Sequence, residues 1–108
     1  MKTEKPLLAV TVAAAVALAR FRFVDFTGNV PSAGERVLGV ANADYAAGEQ
    51  AGVATHGEIL VEAGAAVAVG AQVESDASGR AVTLSTGVAF GTARDAAAAA
   101  GDIIRVLT

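Results

Sequence analysis

Turn chemistry interrupts this chain so often that only short segments are left for regular structure. Residues 27–34 read TGNVPSAG and residues 74–80 read ESDASGR, both dense in the Gly, Pro, Asn, Asp and Ser that turns require. Residues 42–49, NADYAAGE, read as a turn or a single helical turn. In EAGAAVAVGAQV at 62–73, Gly64, Val67, Gly70 and Val73 recur every third residue. That is a pattern of tight turns in compact β-barrels, with valines pointing inward and glycines supplying positive φ.

The intervening pieces favour strands. Residues 36–41 (RVLGVA), 81–85, 87–92 (GVAFGT) and 103–107 (IIRVL) are short β-prone runs. Residues 51–55 and 58–63 flank His56-Gly57 and predict a hairpin that turns there. Residues 20–26, RFRFVDF, alternate with period two, which sets Arg20 and Arg22 on one face and Phe21 and Phe23 on the other. Leu8, Val10 and Val12 share one parity, continued by Ala14, Val16 and Leu18. Residues 8–26 therefore read as two strands or one long bent strand. Asp95 as N-cap, the alanines 96–100 and Gly101 as a left-handed end residue predict a short helix.

The expected fold is mainly β: a small compact β-barrel or β-sandwich-like domain with one short helix near residues 95–100. Residues 1–6 form a flexible N-terminal arm and residues 7–108 a single β-rich domain. A weak internal echo links LGVANADYAAGEQ at 38–50 to FGTARDAAAAAGD at 90–102, which suggests two strand–turn units in related positions of one barrel.

Composition narrows the function. The chain has 108 residues, enough for one domain. Hydrophobic residues make up 54%, mostly Ala and Val, with four Phe, one Tyr and no Trp, so the core is thin and self-association would support it. With no cysteine and one histidine, disulfides, thiolate metal sites and multi-histidine clusters are excluded. A net charge of −3 argues against binding nucleic acid. No phosphate loop, dinucleotide fingerprint or nucleophile elbow occurs, and no lysine follows Lys5. His56 reads as a solvated turn residue, and Asp44, Asp76 and Asp102 as turn acids bonding local backbone. No catalytic, cofactor-binding or metal residue is nominated, and no cofactor is expected.

Residues 7–20, LLAVTVAAAVALAR, leave three readings. Behind a basic start, an apolar run ending in Ala17-Leu18-Ala19 matches a signal peptide, so residues 1–19 could be the leader of a secreted or periplasmic β-domain binding protein. A membrane span needs about 20 apolar residues, and this run is shorter. The third reading is strand structure belonging to the folded body.

Taken in order, KPLLAVTVAAAVAL, the G-V-A-x-x-D-x-x-A-G-E segment at 39–49, the EAGA stretch around Gly64 and S-D-x-x-G-R-A at 75–81 resemble the small capsid cement (head decoration) proteins of tailed bacteriophages and prophages. The resemblance runs from about residue 5 to 107. Some relatives carry a RecA/RadA-like recombinase label, which the missing phosphate loop does not support. The resemblance implies a structural virion protein, with no enzymatic activity, that binds the outside of the mature capsid and stabilises it. It implies the major capsid protein as partner, a homo-oligomer with a trimer favoured, no nucleic acid and no membrane. It also implies synthesis in the host bacterial cytoplasm and residence on the capsid exterior, and it favours reading residues 7–20 as part of the mature domain. No functional residues carry over from the family. The basic charge and expected mobility of the N-terminus nominate Lys2, Thr3, Glu4, Lys5 and Pro6 as capsid contacts.

Overall fold

The computed structural model describes residues 2–108. Its elements are β1 (Lys5–Ala13), β2 (Phe23–Val24), β3 (Gly39–Ala41), β4 (Gln50–Glu62), β5 (Gln72–Ser75), β6 (Ala81–Thr83), β7 (Gly91–Ala93) and β8 (Ile103–Leu107). Among the described residues there is no helix, and so none long and apolar enough to cross a membrane.

The organising element is β4. The hairpin expected at His56-Gly57 does not form, because the chain bends there and continues as one strand. Gly57 adopts φ +111° opposite Pro6, and a Cβ on it would meet Lys5 O at 2.5 Å and Leu7 N at 2.7 Å. The β1–β4 register shifts between Pro6 and Ala9, as a bulge requires. Bulge and glycine together kink β4 without reversing it.

Pairing around the kink shows how one strand serves the whole molecule. At Val53 and Ala54, β4 pairs with both β1 and β3; at Glu58 it pairs with Lys5 of β1 and Leu107 of β8. A strand residue has two edges, so β3 and β8 succeed each other along the edge opposite β1. From β8 the sheet runs through β7 and β5 to β6. It nearly closes where Ala81 bridges Ala63 and the Gly64 amide donates to Ala81 O at 2.8 Å. Closure of this kind removes exposed edges from the second half of the chain.

Two apolar clusters result. The larger joins Phe23, Val40, Ile59, Val61, Val73, Ile104 and Val106, with Phe90 edge-on to Phe23 at 5.0 Å between ring centres. The smaller joins Ala14, Leu18, Val24, Ala41, Ala51 and Val53, with Val10, Val12 and Tyr45 packed against it. Ala14 and Leu18, from the run that resembled an export signal, are therefore core residues. Residues 8–26 resolve into β1 and β2. Between them Phe21 takes φ +67°, its amide donating to Ala41 O, and a turn replaces strand at 20–22.

The weak echo in the sequence extends to an internal repeat in the backbone, in which β6 alone among the strands has no counterpart. Leu18 and Tyr45 exchange two hydrogen bonds of 2.9 Å, and Val67 and Ala97 exchange equivalent bonds of 3.0 and 2.9 Å. Ala14 N donates to Glu49 O as Ala63 N donates to Asp102 O; Gly48 N donates to Ala14 O as Gly101 N donates to Ala63 O. Val10 faces Val53 as Ile59 faces Val106, and Val12 faces Ala51 as Val61 faces Ile104. Thus β1, β2, β3 and the first part of β4 correspond to the second part of β4, β5, β7 and β8.

The repeat explains why no helix forms near residues 95–100. Ala97 is needed in the bridge to Val67, just as Tyr45 bridges Leu18. Asp95 does not cap the following amides, because its carboxylate is held by Arg105. The free amides of Ala98 and Ala99 instead donate to Asp102 Oδ2 at 2.8 and 3.3 Å. Alanine's helix preference, at most about 1 kcal/mol per residue, is outweighed by tertiary pairing.

Candidate functional site

The nominated N-terminal residues lie along one edge of the sheet. Lys5 and Pro6 open β1, opposite Glu58 and Gly57, so strand begins two residues inside the expected arm. Ahead of them, Glu4 Oε2 accepts the Leu60 amide at 3.1 Å, and Lys2 Nζ donates to Ile103 O at 2.8 Å. Glu4 thereby continues the β1 edge of β4, and the next amide on that edge, from Glu62, donates to Phe21 O at 2.8 Å. Lys2, Thr3, Lys5 and Pro6 are exposed and Glu4 is half-buried. Beyond them Leu7 is 84% exposed, although it lies within a strand.

The charged side chains of the body brace the sheet. Arg105 clasps Asp95 with Nε to Oδ2 and Nη2 to Oδ1, both 2.8 Å, and also approaches Glu58, which Arg94 bonds. Hydrogen bonds from the Arg105 guanidinium, opposed by burial and aided by its amide, hold the Asp95 carboxyl well below the usual aspartate range. On the far side Glu62 Oε2 accepts from Arg22 at 3.1 Å and Arg80 at 3.3 Å. Asp76 and Asp102 bond amides within four residues, as the turn reading expects, whereas Asp44 accepts from the distant Arg20 amide at 2.8 Å.

His56 stands mid-strand in β4 and not in a turn. It is exposed, with Nδ1 3.1 Å from Thr55 Oγ1. Among the described residues no three His, Cys, Asp or Glu side chains are grouped to hold a metal ion.

His56 lies on the rim of an open groove of about 460 Å³. Its floor and walls include Leu8 and Val10 of β1, Phe26, Leu38 and Phe90, with Arg36 on the rim. Phe26 is 60% exposed and Leu8 49% exposed, so apolar surface here faces solvent. The turn assignment of residues 27–34 hid this feature. Its available sign was the bulky Phe26 at the mouth of a polar loop, where solvation alone favours a small or polar residue.

Comparison with curated protein sequences gives no match. Among solved structures, the fold is similar to the N base of head fiber gp8.5 of bacteriophage phi29, 20% identical, with a TM-score of 0.77 over 94% of this chain and 93% of that one. The sequence profile of the phage cement protein family matches residues 1–108. The chain belongs to the phage cement protein family.

Proposed function

We propose that this chain binds the outer surface of the mature phage capsid and stabilises it, with the major capsid protein as its partner and no enzymatic step. The observation that carries this reading is membership of the cement family over residues 1–108. Fold likeness to the base of a phage head fiber supports it. The mechanism is linkage: a protein that binds the expanded shell better than its separated or unexpanded subunits stabilises the shell by that difference in binding free energy. Packaged DNA pushes outward, and a clamp spanning neighbouring subunits opposes their separation.

A homo-oligomer, with a trimer favoured, lets each contact stay modest, because the second and third contacts form at high effective concentration. The thin Ala- and Val-based core gives self-association a second use, since burial between copies adds to what one domain can bury alone. In this reading the protein is made in the host cytoplasm and resides on the capsid exterior. Residues Lys2 to Pro6, on one edge with all but Glu4 exposed, contribute capsid contacts.

The test is co-sedimentation with expanded and unexpanded cognate capsids lacking the protein. Saturable binding to expanded shells alone supports the proposal, and equal or absent binding to both shells contradicts it.

A further inference from the structure

The internal repeat exposes a gap in the first half of the chain. In the second half, Ile59 and Val61 are fully buried beneath the larger core. Their equivalents Val10 and Val12 are only half-buried, and Leu8, one step further along β1, is 49% exposed. Among the described residues nothing covers Leu8 and Val10 as the larger core covers Ile59, and the groove of about 460 Å³ lies over them.

Two further properties define what would fit. The first is charge. The lining contains one cationic side chain, Arg36, and no acidic side chain, in a chain whose net charge is −3. Arg36 makes no ion pair among the described residues. The second is backbone. Gly52 O accepts from Asn42 on the β3 side of β4, so the alternate residues Ala51 and Val53 turn toward Val12 and Val10. The backbone groups of Ala9 and Thr11 therefore face away from β4, along an edge where β1 has no partner strand among the described residues.

We infer that this groove and the adjoining β1 edge receive an extended segment of the major capsid protein, carrying an apolar side chain beside a carboxylate. The apolar side chain enters between Leu8, Val10, Phe26 and Phe90, and the carboxylate meets Arg36. Backbone pairing along β1 supplies affinity and the groove supplies selectivity. A second copy of this chain fits less well. Besides Phe26, which already lines the groove, the large apolar side chains more than half exposed among the described residues are Leu7 and Val69. Neither has an acidic residue within two positions. A contact of groove on groove would also put two Arg36 guanidinium groups in one interface with no acidic side chain from either lining.

The inference rests on the capsid reading above, and one experiment separates the two. Binding to expanded cognate capsids is measured for the wild type, for Arg36→Glu and Phe26→Ser in the groove, and for Arg20→Glu and Val69→Ser elsewhere. Thermal unfolding and light-scattering mass are recorded for each. The expected result is about tenfold or greater weakening for both groove variants at unchanged mass and melting temperature, with the other two binding as wild type. Groove variants that bind like wild type overturn the inference and leave the capsid reading standing. Groove variants that change the mass identify the face as a contact between copies, which also overturns it. Failure of the wild type to bind removes the capsid reading and the inference together.

Discussion

Asp25 and Asp76 hold equivalent places in the two halves of the chain. Oδ1 of Asp25 accepts the amides of Thr27 and Asn29, each at 2.9 Å, and Oδ1 of Asp76 accepts those of Ser78 and Arg80 at 2.8 and 2.9 Å. In both turns a glycine at positive φ, Gly28 or Gly79, returns its amide to the aspartate carbonyl. One short acid thus sets the geometry of each turn.

Replacing Asp25 with Ala should destabilise the protein by about 1–3 kcal/mol, because two amides and the Thr27 hydroxyl lose a charged acceptor. Asp76→Ala should cost less, since its turn is more exposed. Chemical denaturation of the two variants checks both the size and the order.

Stability should fall in acid. Burial pushes the Asp25 carboxyl up, but the amides of Asn29 and Thr27 and the Thr27 hydroxyl leave it below its ordinary value. Asp95 is depressed further, chiefly by Arg105. A carboxyl whose folded pKa lies below its unfolded value contributes fully above the ordinary value of 3.8 and loses that contribution as pH falls toward the folded one. Melting temperature should therefore decline as pH drops below about 4. Asp95→Asn should start lower at neutral pH and decline less. A variant whose acid profile parallels the wild type would contradict the assignment.

Gly57→Val should detach β1 from β4. Its φ of +111° is closed to a branched side chain, and the added Cβ would strike the backbone of Lys5 and Leu7. The expected cost exceeds about 2 kcal/mol, and hydrogen exchange should show faster exchange in β1 than in β8.

How much of this was legible in the sequence follows from which forces decide each piece. IIRVL at 103–107 was readable because its alternation, with Ile104 and Val106 inward, agrees with its burial. The turn at Asp76–Gly79 was readable because local chemistry fixes it. The kink at Gly57 was not, since His-Gly between two apolar runs signals a reversal, and only pairing of β1 across the break keeps the strand going. The run from Asp95 through the alanines to Gly101 pointed to a helix on local preference, and the bridge from Ala97 to Val67 overrode it. The groove escaped because it is assembled from residues as distant as Leu8 and Phe90. Basic charge and expected mobility nominate the N-terminal residues, whereas their bonds to Leu60 and Ile103 depend on a register that no local pattern encodes.

Leu18 gives a direct check that the opening apolar run belongs to the body. It is 4% exposed, so Leu18→Ala should cost about 2–4 kcal/mol, whereas Val69→Ala at a 66% exposed site should change stability by under about 0.5 kcal/mol. Removing residues 1–19 should abolish cooperative unfolding altogether, because β1 and both Ala14 and Leu18 go with them.

Deleting residues 2–4 should remove the Lys2 and Glu4 bonds yet retain β1, so the domain should melt within a few degrees of wild type. In the proposed role this deletion lowers occupancy on expanded capsids. Unchanged occupancy would remove these residues from the contact.

If the protein stabilises a shell by binding it, the decisive measurement is the breakdown temperature of expanded, DNA-filled cognate capsids titrated with the protein. Linkage predicts a rise that continues with the logarithm of free protein above the dissociation constant, by about 1.4 kcal/mol per bound site for each tenfold increase. A breakdown temperature independent of added protein, at concentrations where sedimentation shows the sites filled, would contradict the account.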